Sequence, residues 1–351
     1  MSEAAQSMQG RAKKIYETLR DSQVIPGAEN EWQEYRTQVS AYLVENCESG
    51  GSLAVFGAGR CNDLDLHVLA GHFDTVTLLD ADKDAMCEAI RSYREKQKIG
   101  AEAPGSGEKV RMQVLNFTGI AQEDYLAFGE MLLALTESDS REEEEQCYLK
   151  GGRLLKKMYG TAVSYDIVKC LTDGGGCEKY DYAVSLGVHS QLFNIPAWMV
   201  EHVLGNAGKN AAKSCVTEEH IRGLLQQIGN LHTAISVKYN EFLLKTARKK
   251  AFIGCEVSRA QCVPDGTAND AAACDAGQEE AITAENEKEN GETVWYAVPD
   301  SAVAGAWQAI RDLEGRALRN EIKADHYLDI VWPFCPERGI AYRMAIFEAE
   351  P

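Results

Sequence analysis

The chain has no pair of cysteines at CxxC spacing, although 11 of its 351 residues are cysteine. Cys170 with Cys177, and Cys255 with Cys262, come nearest to a cluster, and neither has zinc-ligand spacing, so no metal site is expected. An odd number of scattered cysteines without a framework is expected as free thiols in a reducing cytoplasm. No uninterrupted apolar run approaches membrane-spanning length. The start, Met1-Ser2-Glu3-Ala4, has neither a basic stretch nor an apolar one after it, so no signal peptide is expected. Positive charge is scarce: 36 Lys and Arg face 54 Asp and Glu, for a net charge of −18. A chain of that sign is repelled by phosphate backbones, which disfavours nucleic acid as a partner. The two compact basic clusters, Lys156-Lys157 and Arg248-Lys249-Lys250, read as solvated helix faces or ends. No Walker loop, HExxH or GxSxG is present, and no Asn-Pro-Pro-Tyr-type motif.

What is there is an apolar content of 45%, enough for a substantial core. The length suits one large α/β domain with additions, or two small domains. The most informative stretch is Ser52 to Leu66. A short apolar run, Leu53-Ala54-Val55-Phe56, ends in Gly57-Ala58-Gly59, and a helical pattern follows with Leu64, Val68 and Leu69 on one side. A second apolar run, Val76-Thr77-Leu78-Leu79, ends in Asp80-Ala81-Asp82. Glycines let the backbone turn sharply and approach a ligand closely. A carboxylate about 20 residues beyond such a turn is spaced to hold a ribose. The unit reads as a nucleoside-cofactor site.

Helices are expected at 8–21 and 31–47, the second with Trp32, Tyr35, Val39, Tyr42 and Leu43 at helical spacing and Asn30 as N-cap, with Gln33 completing a capping box. These helices either pack against the sheet or cover the cofactor pocket. Strands are expected near 52–56, 75–79, 109–115, 180–185 and 251–257, with helices near 83–97, 121–137, 142–159, 217–250 and 300–321. The acidic run Glu142 to Glu145 complements a helix N-terminus. The chain closes with strands near 327–332 and 340–349, whose short connection makes them antiparallel. Alternation implies an α/β fold: a doubly wound, mostly parallel seven-stranded sheet with a C-terminal antiparallel strand pair. Residues 1–49 form a helical N-terminal extension and 50–351 the Rossmann-like domain. That domain carries a helical insertion at 138–179 and a flexible acidic insertion at 263–292, where large apolar residues are nearly absent.

Over residues 50–350 the chain resembles class I S-adenosylmethionine-dependent methyltransferases, most sharply over 53–82. The glycine turn, the acidic end of the second strand and the terminal strand pair carry the resemblance. It implies S-adenosyl-L-methionine as cofactor, with Gly57, Ala58 and Gly59 approaching its methionine part. Asp80 would accept from the ribose hydroxyls, and Ala81 and Asp82 would border the adenine. Asn116 and Phe117 would touch the adenine amine and ring, and Ser185 and Leu186 would lie at the methionine end near the acceptor. Three positions depart from the family's pattern: Val55 stands where an acidic residue is common, Cys61 where a third glycine is common, and Asn116 where Asp is common. Asp63 and Asp65 are placed either to meet the cofactor's ammonium or to cap the following helix.

Methyl transfer asks the protein to hold acceptor and methyl in line, exclude water and, for some acceptors, remove a proton. His189, just past the fourth strand, is the base candidate by position and type, against the alternative of a structural hydrogen bonder. Ser190 and Gln191 either bind substrate or cap the next helix, and Trp198-Met199-Val200 reads as core. Cys61 beside the turn reads as small-residue packing rather than as a nucleophile. The acidic charge favours a small-molecule acceptor. Two further functions fit part of the pattern: a non-catalytic methyltransferase-like binding or scaffold protein, and an NAD(P)-dependent oxidoreductase. The oxidoreductase would require glycine at position 62, where the chain has Asn62.

Overall fold

The computed structural model describes residues 7–100, 109–175, 179–210, 218–262, 295–298 and 301–351. Five strands lie parallel: β1 (Ser52–Phe56), β2 (Thr75–Asp80), β3 (Val110–Val114), β4 (Tyr180–Leu186) and β5 (Ala247–Cys262). Two more, β7 (Lys323–Cys335) and β8 (Ile340–Glu350), complete the order β3-β2-β1-β4-β5-β8-β7, and β8 runs antiparallel to both of its neighbours. This is the Rossmann-like, doubly wound sheet with the terminal antiparallel pair that the sequence predicts. It has one strand more than the sequence suggests. Short β6 (Trp295–Val298) pairs antiparallel with the far end of β5, Arg259 facing Val298. The acidic stretch 263–292 lies outside the described residues.

Side chains alternate across each strand, so the sheet feeds two cores. Ala54, Phe56, Leu79, Ala183 and Ile253 enter one. Leu53, Val55, Leu78, Val184 and Phe252 enter the other. The first core is covered by α1 (Met8–Asp21), α6 (Gln122–Glu137), α7 (Arg141–Ser164), α8 (Ile167–Asp173), α9 (Ile195–Asn210), α10 (Glu218–Thr246) and α11 (Ser301–Leu318). The second is covered by α2 (Ala28–Glu31), α3 (Gln33–Asn46), α4 (Leu66–His72) and α5 (Lys83–Gly100). The N-terminal helices therefore divide: α1 packs on α6 and α9, while α3 lays Tyr35, Val39 and Leu43 on the other face.

Several local expectations give way to tertiary demands. Asn30 is not an N-cap, because it lies inside α2; the chain turns at Trp32, which precedes α3 without a side-chain cap. The helix after the glycine turn begins only at Leu66, capped by Asp65, whose Oδ1 accepts from the His67 and Val68 amides at 2.8 and 3.3 Å. Val68 is 42% exposed, and the buried positions are Leu66, Leu69 and Ala70, with Leu64 held in the preceding loop. The Arg248-Lys249-Lys250 cluster opens β5 instead of ending a helix, and it pairs with Asp181, Glu48 and Glu348. The acidic run does open α7, where Ser140 Oγ accepts from the Glu143 amide at 3.3 Å.

The C-terminus of α7 is finished from a distance. Lys238 Nζ on α10 donates to the carbonyls of Ala162, Val163 and Tyr165 at 2.7, 2.6 and 2.5 Å. A cation there meets carbonyls without helical partners at the negative end of the helix dipole. Lys238→Met keeps the stem but removes the donors. It is expected to destabilise the fold by about 1–3 kcal/mol, read as a lower urea midpoint at unchanged slope.

Candidate functional site

The site forms where the sheet order reverses, between β1 and β4, at the carboxyl ends of the strands; open α/β sheets bind ligands there. The turn after β1 is fastened to the end of β2. The Gly57 and Ala58 amides donate to Leu79 O at 2.8 and 3.2 Å, and the Gly59 amide donates to Asp80 Oδ2 at 2.9 Å. Gly57 has φ +72°, and a Cβ there would lie 2.2 Å from Val188 Cγ2, so no side chain fits. Gly59 has φ +47°, and a Cβ there would meet nothing within 4 Å, which leaves the backbone open on that side.

Asp80 also accepts from the Asp82 amide at 2.7 Å. Burial raises its carboxyl above the ordinary value, and the amides of Asp82 and Gly59 oppose that shift. A carboxylate has about four acceptor directions, so capacity remains for hydroxyls of a ligand. Ala81 and Asp82 lie exposed at the mouth, and Asp82 Oδ1 accepts from Ala85 N at 3.0 Å at the start of α5.

After β3 the structure departs from the simplest reading. Asn116 Oδ1 accepts from Thr118 N, Thr118 Oγ1 and Gly119 N at 2.9, 3.2 and 3.0 Å, and its Nδ2 donates to Ile120 O at 3.1 Å. The side chain shapes its own loop. Phe117 beside it is half-buried, with its ring 6.4 Å from Phe56 and 5.3 Å from Tyr239, centroid to centroid. Ser185 is buried, its hydroxyl 3.0 Å from Tyr239 Oη, and Leu186 is buried beside it at the strand end.

His189 does not present a base. It has 0% exposure, and its Nε2–H donates to Asn240 Oδ1 at 2.7 Å, since Asn240 Nδ2 is itself engaged by Ala309 O and Asp312. Its Nδ1 lies 3.8 Å from Cys255 Sγ, and its carbonyl accepts from His232 Nε2 at 2.6 Å. Burial pushes the imidazole down to about 4, so it is neutral near pH 7. It locks the loop after β4 onto α10. Ser190 turns inward as well, donating to Glu256 Oε1 at 2.7 Å. Cys61, in a left-handed conformation at φ +54°, is buried, and burial raises its thiol far from thiolate character.

Asp63 does not cap α4, and its side chain is half-buried. Its Oδ1 is sealed and meets no donor among the described residues. Burial raises its carboxyl from 3.8 to about 7; the Arg36 guanidinium opposes this, and the charge of Glu256 adds to it. Gly57, Ala58, Cys61, Asp63, Leu64, Val184 and Leu186 enclose a cavity of about 10 Å³, roughly one water molecule in size. The structure thus gathers Gly57, Ala58, Gly59, Asp80, Ala81 and Asp82 into one cradle with Phe117 beside it. Tyr35 and Trp332 pack in the core that also takes Ala58 and Cys61 of the turn, with Glu256 buried nearby, a grouping that sequence reasoning missed. Glu256, a charge in the otherwise apolar run of β5, was the one signal available for them. Among the described residues, no three His, Cys, Asp or Glu side chains cluster as a metal site.

No family model matches the chain, and no curated protein does. Among solved structures it is similar to a candidate RNA methyltransferase from Pyrococcus horikoshii, at 10% identity and TM-score 0.35, over 97% of this chain and 96% of that one. An S-adenosylmethionine-dependent methyltransferase from Clostridium acetobutylicum aligns at 7% identity and TM-score 0.32, over 98% and 99%. An arsenic(III) methyltransferase from Chlamydomonas reinhardtii aligns at 10% identity and TM-score 0.33, over 86% and 64%.

Two outcomes follow from the geometry. Gly57→Ala meets both the positive φ and Val188, and is expected to lower the melting temperature markedly or to prevent folding. Asp63 has a folded-state value raised above the unfolded 3.8, so its stability contribution is full below about pH 3.8 and is lost as pH rises to about 7. Asp63→Asn should therefore match the wild type near pH 4 and melt a few degrees higher near pH 8, measured by calorimetry across that window.

Proposed function

We propose that the chain binds S-adenosylmethionine in the cradle around Gly57–Gly59 and Asp80 and transfers its methyl group to a small-molecule acceptor. The observation that carries this reading is the turn fastened to Asp80 at the reversal point of a sheet that ends in an antiparallel pair. Gly57, Ala58 and Gly59 would back the methionine part with bare backbone. Asp80 would accept from the ribose, and Phe117 would offer its ring to the adenine. When bound, the cofactor supplies a methyl group made electrophilic by its sulfonium. The chain's own task is to orient the acceptor, exclude water and take up a proton where the acceptor carries one. His189 serves in this reading as a positioning residue, since its ring nitrogens are turned into the core.

The antiparallel β8 and the absence of glycine at Asn62 argue against a nicotinamide dehydrogenase. The sealed His189 favours one second reading, a protein that binds the cofactor without transferring it. The net charge of −18 supports a small acceptor over a polyanion.

Calorimetric titration with S-adenosylhomocysteine tests the first step. Binding is expected, and Asp80→Ala is expected to weaken it by about 10- to 100-fold, the worth of hydrogen bonds to a charged group. Absence of binding at millimolar ligand would overturn the reading. Binding without turnover on any acceptor would favour the non-catalytic alternative.

A further inference from the structure

α1 and α3 lie on opposite faces of the sheet, so the chain between them must pass around it. It passes at the carboxyl ends of the strands. Arg20, near the end of α1, pairs with Asp21 at 2.8 and 3.0 Å and also feels the charge of Asp82 at the mouth of the cradle. Gln23 Nε2 donates to Asn194 Oδ1 at 3.3 Å, in the loop after β4. Trp32 Nε1 donates to Phe334 O at 3.2 Å, near the end of β7. Residues 22–31 thus run from the end of β2, past that of β4, toward that of β7. In the sheet order this course takes them across β1 and β4, where the cradle opens.

The crossing is lightly held between two firm ends. Ala12 of α1 is fully buried in one core, and Val39 and Leu43 of α3 are fully buried in the other. Between Ser22 and Glu31, Ala28 alone is buried, with Gln23 and Ile25 half-buried. Gly27 sits at φ +76°, a left-handed turn that glycine adopts without strain. The backbone bonds of the segment are local, such as Ala28 N to Ile25 O and Asn30 N to Gly27 O, and survive its displacement as a body. A segment with few buried contacts opens at low cost.

One side chain joins the crossing to the cofactor turn. Arg36, carried by α3, donates from Nη2 to Glu29 O at 2.8 Å and from Nη1 to Asn62 O at 3.0 Å. Glu29 belongs to the crossing, and Asn62 lies just past Gly57–Gly59. A planar guanidinium presents its donors in a fixed fork and so sets the spacing of the two carbonyls; the single nitrogen of lysine does not.

We propose that residues 22–31 form a strap that must lift for S-adenosylmethionine to enter or leave the cradle, and that Arg36 is the positioning residue that clasps it to the turn. The inference rests on the cofactor reading of the cradle. Lifting breaks the Gln23–Asn194 and Arg36–Glu29 bonds and leaves α1 and Trp32 seated. The clasps bind the strap and not the ligand. Loosening them therefore speeds entry and departure alike and leaves the affinity unchanged, since a ligand responds only to differences in its own contacts.

The test immobilises the full chain and reads association and dissociation rate constants for S-adenosylhomocysteine by surface plasmon resonance. Gln23→Met keeps the length of the side chain but cannot bond Asn194. Arg36→Lys keeps the charge but not the fork. Each should raise both rate constants about two- to tenfold, the worth of one hydrogen bond, with Kd held within about twofold. The double variant should show the product of the two effects. Circular dichroism and the urea midpoint report whether each variant is folded, and Gln23→Met, at a half-buried position, carries the test alone if Arg36→Lys does not fold.

Rate constants unchanged in the folded variants would overturn the inference. So would a Kd weakened through faster dissociation alone, because Gln23 and Arg36 would then be props of the binding site instead of clasps on a gate. If S-adenosylhomocysteine binds the wild type and no variant moves its rates, the strap inference falls while the cofactor reading stands. If S-adenosylhomocysteine does not bind the wild type at all, the cofactor reading has failed and the strap inference falls with it.

Discussion

The fastening of the Gly57–Gly59 turn to the end of β2 is the constraint on which the site depends. Three successive amides, those of Gly57, Ala58 and Gly59, are spent on Leu79 O and the Asp80 carboxylate. That fixes the end of β1 relative to β2 independently of any ligand. It holds the Asp80 carboxyl at the mouth, partly desolvated, where hydrogen bonds to it are strengthened by the lower local dielectric. It also determines what stands behind the turn. Val188 presses on Gly57 closely enough that the loop after β4 has no freedom to move inward. His189, clamped to Asn240 and backed by Tyr239, holds Val188 there. The cradle is therefore preorganised by bonds that cost nothing further when a ligand arrives.

What could be read from the chain was whatever local chemistry decides. β1 emerges with the bounds expected, because an apolar run between glycines has little other use. The turn and Asp80 were legible because a left-handed backbone and a strand-end carboxylate are demands on residue type. Helix starts were less so. Asn62, Asp63 and Asp65 are all competent caps, and the choice fell to Asp65 because the helix axis must bury Leu66 and Leu69, a tertiary requirement. β6 escaped notice because four residues after a long polar stretch carry no periodicity. Tyr35, Glu256 and Trp332 could not be grouped at all, since nothing in one dimension brings α3, β5 and β7 together. His189 shows a different limit. A histidine past the fourth strand suits a base and a lock equally, and only its burial separates the two.

The two sides of the sheet treat their ionisable groups in opposite ways. On the side of α6–α11, burial makes His189 neutral and both ring nitrogens are turned to protein partners, so the group is removed from proton chemistry. On the side of α2–α5, burial brings Asp63 to about 7, where a carboxyl can both lose and regain a proton near neutrality. That side is walled by the parts added to the repeating βα core, because Trp32 of the N-terminal segment is hydrogen-bonded to Phe334 of the terminal strand pair. The core strands supply a cradle that any ligand with a ribose and a charged tail could use. The wall is joined from the N-terminal segment and the terminal strand pair, so it can vary without disturbing the cradle. Cradle and wall are thus built from different stretches of the sequence, which is why the glycine motif alone says so little about the wall.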